Sequence, residues 1–448
     1  MSGIAEILAN LGYAVSGSDA RTSEVTKRLA TMGVEVHEGH AAGQVGAADV
    51  VVVSAAVRSD NPEVVEARQR GIPVIPRAEM LAELMRLRSG IAVAGAHGKT
   101  TTTSMISLML ERAGLDPTAV IGGRLSAFGS NARLGRGEYM VAEADESDGS
   151  FLKLAPTFAI ITNVDREHLE HYGSYEHLLN AFVDFANRVP FYGAVVICAD
   201  DPRLRELRGR MTRRVLTYGL DSRDRDVAGT DVSVEPYAVS CLVSRRASGA
   251  AEGGPDGRLQ LRVPGRHNLL NALASVTLGF ELGLDFGTMA LALAEFQGAE
   301  RRFQRLGQAG GVTVVDDYGH HPTEIEAVIA AARTSHQGRV VVVFQPHRYT
   351  RTQLLMDDFA SAFHQADNVC IVDIYAASEP PIEGVTSAAL VRRLQDYGHR
   401  SARYAASLGA AVEMIAREAA AGDAVLTLGA GNIWQAGDML LQALKERK

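Results

Sequence analysis

The sequence predicts an α/β protein in three consecutive blocks, and three observations carry that expectation. Short β-branched runs alternate with amphipathic stretches along most of the chain, the pattern of parallel βαβ units. A glycine-rich turn between a buried strand and a helix opens the middle block. The alternation then resumes near Arg301, after a stretch with hairpin character. With 448 residues and 46% hydrophobic content, the chain is long enough for about three cores.

In the first block, 1–88, strands are expected at 14–16, 34–36, 50–53 and 72–75, and helices at 2–11 and 62–70. The block opens on a helix, whereas a doubly wound sheet normally opens on a strand and a glycine-rich turn. The second block, 89–300, begins with Val93-Ala94-Gly95-Ala96-His97-Gly98-Lys99-Thr100-Thr101-Thr102. Small residues there let backbone N–H groups approach phosphoryl oxygens. Lys99 places a point charge on the outer phosphates, and the Thr100 hydroxyl can ligate Mg²⁺. ATP or GTP is the expected ligand. The loop is shorter than the generic pattern, which has a glycine where Ala94 or Val93 stands. Strands at 139–142 and 158–162 and a helix at 175–187 follow. Strands at 238–244 and 259–263, joined by the Gly-, Ala- and Ser-rich segment 245–257, read as a hairpin with a mobile tip, ahead of a helix at 268–282.

The third block, 301–448, reads as another open parallel sheet, with strands at 312–315, 340–344, 369–374 and 424–428 and helices after Pro322 and from Ile433. Its Gly429-Ala430-Gly431-Asn432 turn follows a strand, but Trp434 stands where a dinucleotide fingerprint needs its third glycine, so on its own the turn is weak evidence for NAD.

Composition narrows the function. The 45 basic and 53 acidic residues give a net charge of −8, which argues against nucleic acid or an anionic membrane as the main partner. Cys198, Cys241 and Cys370 are few, odd in number and far apart, which suits a reducing cytoplasm and suggests neither a disulfide framework nor a cysteine metal site. No apolar run reaches the roughly 18 residues of a membrane span, and Glu6 stands where a signal sequence would be basic. A cytoplasmic protein is expected.

Four further motifs lie in order behind the phosphate loop. They are Glu143-Ala144-Asp145-Glu146-Ser147-Asp148, Arg266-His267-Asn268, Asp316-Asp317-Tyr318-Gly319-His320-His321-Pro322 and Gln345-Pro346-His347-Arg348. Together with the three blocks they resemble the Mur ligases over essentially the whole chain. The resemblance implies a Rossmann-like UDP-sugar-binding domain (1–88), a central P-loop domain for ATP and Mg²⁺ (89–300), and a Rossmann-like amino-acid-binding domain (301–448). It implies ATP-dependent ligation of L-alanine to the lactyl carboxylate of UDP-N-acetylmuramate, through an acyl phosphate, in the cytoplasmic synthesis of peptidoglycan precursors. A free carboxylate acylates poorly, and two anions must meet, so such a site needs positive charge and tight positioning. Closure of the blocks around the acyl phosphate, to exclude water, is expected as well.

The resemblance also implies residue roles. Gly95, Ala96, His97, Gly98, Lys99, Thr100 and Thr101 cradle the nucleotide, and Thr100 and Glu143 hold one Mg²⁺ with His168 on a second. Glu143 also ends an apolar strand, where an acid points toward the usual ligand crevice, with a solvated turn as the alternative. The family more usually has Asp before this histidine, where Glu167 stands, and a surface histidine is the alternative. Asp145, Glu146 and Asp148 are not separable from surface charge by sequence. Asn268 points at the nucleotide or else caps a helix. Arg302 faces ATP and Asp317 its ribose, with hinge salt bridges as the alternative for both. His320 lies near a sheet's carboxyl edge. Arg348 and Arg351 offer a guanidinium pair for the amino-acid carboxylate, with a solvated basic turn as the alternative. Ser18, Asp19 and Ser54 end strands on the UDP-sugar face, and Arg77 either pairs with phosphate there or caps a helix. Family members carry a strand and a Gly-Ile-Gly-Gly turn ahead of the stretch that is residues 1–6 here, so roughly a dozen upstream residues are expected. Competing functions are a Mur-type ligase adding a peptide to the same sugar, and a nucleotide switch without synthetic activity.

Overall fold

The structure, a computed structural model, describes residues 1–54, 56–125, 130–246 and 255–447. It divides into two compact units, one of 1–230 with 242–259 and 270–294, the other of 231–241 with 260–269 and 295–448.

At the start of the first unit, helix Ser2–Asn10 leads into strand Ser16–Asp19, which pairs in parallel with Glu35–Glu38. Val51–Val53 pairs in parallel with Val74–Pro76 in a second, separate two-stranded sheet. The expected parallel units are present, as two pairs instead of one continuous sheet. Their strands are only half-buried, unlike the fully covered strands of larger parallel sheets.

The main sheet of this unit is built around strand Ser89–Ala94, flanked in parallel by Tyr139–Glu143 on one side and Phe158–Ile161 on the other. Ala194–Cys198 and Val215–Gly219 continue it beyond Phe158–Ile161. Thr118–Leu125 pairs in parallel with Tyr139–Glu143 and antiparallel with Ser130–Arg133, two strands the sequence pattern had not suggested. Residues 91–94 are wholly buried because parallel strands with helices over both faces see no water. Strands Ala238–Arg245 and Gly257–Leu261 match the expected hairpin. Asp256 N–H donates to Val243 O (2.8 Å), and Arg245 pairs with Asp256 (2.7 Å). Of the segment 245–257 expected as a mobile tip, residues 247–254 lie outside the described residues.

The second unit holds a six-stranded sheet in the order Gln304–Ala309, Val312–Asp317, Ala424–Leu428, Val340–Phe344, Asn368–Ile371, Ala402–Tyr404. All neighbours are parallel except the first pair, so the expected open parallel sheet carries an antiparallel edge strand. That strand's run Gln304-Arg305-Leu306-Gly307-Gln308-Ala309 is polar and mostly exposed, and hydrophobic patterning does not mark it. Apolar clusters fill both faces. One is centred on Phe344, Phe359 and Phe363, and the other on Val341, Val343, Ile415 and Leu440. Asp317, Leu428 and Phe344 stand in register, so the residues after them emerge together at the carboxyl edge, the usual ligand crevice of such sheets.

The ring centroids of Phe344 lie 5.5 Å from Phe359 and 5.2 Å from Phe363, all fully buried. Phe344→Ala should therefore cost about 3–5 kcal/mol of unfolding free energy through lost burial and a residual cavity. Urea unfolding measures it, and a loss below about 1 kcal/mol would contradict this packing.

Candidate active site

The phosphate loop leaves strand Ser89–Ala94 at its carboxyl end and feeds helix Lys99–Arg112. Gly95 (φ +128°) and Gly98 (φ +83°) take the left-handed backbone that glycine tolerates. A Cβ at Gly95 would sit 2.2 Å from Thr162 Oγ1, and one at Gly98 2.5 Å from Asn271 Oδ1, so neither position admits a side chain. The turn is braced from the next strand end. Thr162 Oγ1 and Asn163 Nδ2 donate to His97 O (2.6 and 3.0 Å), and His97 N–H donates to Asn163 Oδ1 (2.8 Å). His97 Nε2 lies 2.9 Å from Asp165 Oδ2. Ala96 belongs to the same turn, Thr100 is partly exposed in the helix's first turn, and Thr101 is buried beneath it.

Lys99 is the charge of this site. Its ammonium has three donors, and the structure supplies three acceptors: Gly95 O (2.6 Å), Ala96 O (3.2 Å) and Glu146 Oε1 (2.7 Å). Burial works against the charged form, but the Glu146 and Asp145 carboxylates outweigh it and hold Lys99 above the ordinary lysine range. Burial pushes the Glu146 carboxyl up with Lys99 opposing, while Lys99 draws Asp145 down despite its burial. Glu146 is 1% exposed, and its backbone O accepts the Tyr172 hydroxyl at 2.6 Å. Sequence reasoning left this residue among surface acids. Its signal was the Lys99 charge, which needs a buried partner that only folding identifies.

His168 sits 4.0 Å from Glu146 Oε1 and 3.9 Å from Glu167 Oε2, in left-handed backbone (φ +57°) that costs a non-glycine residue about 1 kcal/mol or more. Ligand atoms of Glu146, Glu167 and His168 all lie within 4.8 Å of one another. Glu143 ends its strand beside Val93 and accepts Gly122 N–H at 2.7 Å, so of the two acids it is Glu146 that the fold places on Lys99 and near His168. Elsewhere in this unit, Ser18 Oγ lies 2.6 Å from Glu63 Oε1 and 3.0 Å from His40 Nδ1, two partners that sequence reasoning missed. Asp19 accepts Arg21 N–H, Ser54 follows strand Val51–Val53, and Arg77 opens helix Arg77–Arg86.

In the second unit, Asp317 Oδ2 accepts Phe303 N–H and Oδ1 accepts Gly319 N–H, both at 2.6 Å, and burial pushes its carboxyl up to about 6. Arg302 pairs with Glu324 at 3.3 Å and covers the Tyr318 ring. Arg301 joins Asp316 (2.9 Å) to Gly429 O (2.6 Å). Asn268 is buried inside helix Arg266–Glu281, its Nδ2 donating to Pro264 O at 2.7 Å. Rings form a row along the carboxyl edge. Tyr318 meets His320 at 5.3 Å, His320 meets His347 at 5.8 Å, and His347 stacks on Tyr375 at 5.6 Å. Arg351 Nη1 lies 3.3 Å from His347 Nδ1. A guanidinium only donates, so Nδ1 carries the lone pair and Nε2 the proton. Arg348 stands at the mouth of helix Tyr349–Leu354 with φ +70° and ψ 140°. The Gly429–Gly431 turn is explained by packing, since a Cβ at Gly431 would meet Gln345 Oε1 at 2.3 Å and the Tyr375 Cγ at 2.8 Å.

Comparisons with known proteins agree with one another. Three family models match: "Mur ligase family, catalytic domain" over residues 1–89, "Mur ligase middle domain" over 93–279 and "Mur ligase, glutamate ligase domain" over 301–431. A UDP-N-acetylmuramate–L-alanine ligase of Solibacter usitatus is 53% identical over 446 residues, covering 99% of this chain and 93% of that protein. One of Anaeromyxobacter sp. (strain Fw109-5) is 54% identical over 447 residues, covering 99% and 95%. The crystal structure of the UDP-N-acetylmuramate–alanine ligase of Thermotoga maritima superposes with a TM-score of 0.82 at 29% identity, covering 100% of this chain and 97% of that one.

Burial, with Arg351 and Arg348 adding to it, pushes His347 down to about 4. The unfolded chain, with an ordinary histidine near 6.5, then binds a proton that the folded chain refuses. This contribution to stability is complete above pH 6.5 and is lost as pH falls toward 4. Imidazole NMR, assigned with His347→Gln, should give a midpoint near 4 with the proton on Nε2; a midpoint near 6.5 would contradict the assignment.

Proposed function

The chain belongs to the Mur ligase family, and we infer on that footing that it ligates L-alanine to the lactyl carboxylate of UDP-N-acetylmuramate, driven by ATP, in peptidoglycan precursor synthesis. The observation that carries the nucleotide half is the half-buried Lys99 ammonium, satisfied by loop carbonyls and the buried Glu146 at the head of a glycine cradle. A sugar carboxylate oxygen attacks the γ-phosphorus, the bond to the β-phosphate oxygen breaks, and ADP leaves. The amino-acid ammonium gives one proton to solvent and attacks the acyl carbon as the free amine; inorganic phosphate departs and carries off the second proton. Loop N–H groups and Lys99 stabilise charge on the transferring phosphoryl group. Among the described residues, no helix is long and apolar enough to cross a membrane. A cytoplasmic location, where nucleotide and amino acid are available, fits this chemistry.

The residues present fit a divalent cation. Two carboxylates and one imidazole converge, and Glu146 Oε2 is buried with no hydrogen-bond partner among the described residues. Glu146, Glu167 and His168 would hold one Mg²⁺, and by family resemblance Thr100 and Glu143 take part in a second site. A bound ion supplies charge neutralisation between carboxylate and phosphate. We assign UDP-sugar binding to 1–88 with Ser18, Asp19, Ser54 and Arg77, and nucleotide binding to 89–300. Amino-acid binding falls to 301–448 with His320, Arg348 and Arg351. Asn268, Arg302 and Asp317 serve the nucleotide, with the ion pair to Glu324 orienting Arg302.

Phosphate release from ATP should require the UDP-sugar and L-alanine together, and Lys99→Ala should lower kcat by about a hundredfold or more. ATP hydrolysis that ignores both acceptors would instead indicate a nucleotide switch, and incorporation of a peptide but not alanine would reassign the substrate.

A further inference from the structure

Arg348 occupies a backbone region that non-glycine residues enter only under constraint, at a cost of about 1–3 kcal/mol. The constraint is Tyr375. Arg348 N–H donates to Tyr375 O at 2.9 Å, and Tyr375 N–H donates to Pro346 O at 2.8 Å, so one residue's main chain brackets His347 and fixes the peptide that enters the strained position. Glu379 completes the brace, accepting Thr350 N–H at 3.1 Å and Thr350 Oγ1 at 2.7 Å. Between them Ala377 (φ +47°) and Ser378 (φ +73°) are also left-handed, so strain lies on both segments where they lean together.

The Tyr375 ring is fixed from two directions. One face stacks on His347 with the planes 9° apart, and its root stands where a side chain at Gly431 would need to be. It cannot retreat from either, yet 41% of the residue is exposed. The His347 ring on which it stacks takes the Arg351 guanidinium at Nδ1 (3.3 Å), so this wall stands one ring away from a group assigned to the amino-acid carboxylate.

Building on the amino-acid site assigned above, we propose that Tyr375 is a positioning and specificity residue. Its main chain sets the direction of Arg348, and its ring closes the side-chain end of the pocket, so that a methyl group fits and a branched side chain does not. One or two methylene groups against a rigid wall discriminate by about 10- to 200-fold.

The test is steady-state kinetics of the full chain with L-alanine and with L-valine, on wild type, Tyr375→Ala, Tyr375→Leu and Tyr375→Phe. Tyr375→Ala should raise KM for alanine about tenfold, leave KM for ATP unchanged, and shift the valine-to-alanine ratio of kcat/KM upward by about tenfold or more. Tyr375→Phe keeps the ring and should keep the wild-type ratio. Should Tyr375→Ala not fold, Tyr375→Leu, which keeps the volume against His347 but not the flat wall, should show the same shift in ratio. Alanine turnover by wild type with an unchanged ratio in the folded variants overturns this inference alone. Wild type that couples no amino acid to phosphate release overturns the ligase reading and this inference with it.

Discussion

A lysine ammonium taken out of water must find every donor an acceptor and a countercharge close by, and that requirement at Lys99 organises the first unit. The two loop carbonyls come from Gly95 and Ala96, so the turn must curl back over its own helix; Gly95 and Gly98 take positive φ in it, and Thr162 and Asn271 press against them where a Cβ would stand. The countercharge comes from Glu146 at 2.7 Å, and Tyr172 pins the backbone of that residue. A buried pair of this kind adds little net stability but is costly to half-remove, since the survivor is left charged without a partner. The arrangement therefore holds a positive charge ready, in a place where a polyphosphate can take over as its partner.

Both sheets deliver their chemistry by the same geometry. Parallel strands ending in register present successive turns at one edge, which brings Glu143, the phosphate loop and Asn163 together in one unit. In the other it gathers Asp317, Gln345, His347 and Gly429. Short-range hydrogen bonds then fix orientation, as with Asp317, whose two oxygens tie Phe303 and Gly319. The Gly429–Gly431 turn has glycines because Gln345 and Tyr375 press on it, a packing requirement that imitates part of a nucleotide-binding fingerprint.

Much of this was legible in the chain itself. The phosphate loop announced itself because strand, glycines, lysine and helix are contiguous, and the helices at 62–69, 175–187 and 266–281 follow from apolar spacing. Less legible was anything set by contacts between distant segments. Glu143 and Glu146 are both acids of one motif, and only the fold decides that Glu146 is buried on Lys99 while Glu143 bonds to Gly122. Thr162 and Asn163 look like ordinary strand-end residues until His97 is placed against them. Tyr375 carries no motif, since it is placed by a parallel bridge to His347 and by the bond it accepts from Arg348 N–H. The edge strand Gln304–Ala309 escaped because its polar run has no hydrophobic period.

The proposed reaction activates the sugar carboxylate by direct attack on the terminal phosphorus held at Lys99. Supplying UDP-N-acetylmuramate with ¹⁸O in its lactyl carboxylate, and analysing released phosphate by mass spectrometry, tests this most directly. Each phosphate formed alongside amide should carry one labelled oxygen. Unlabelled phosphate accompanying full amide formation would contradict it.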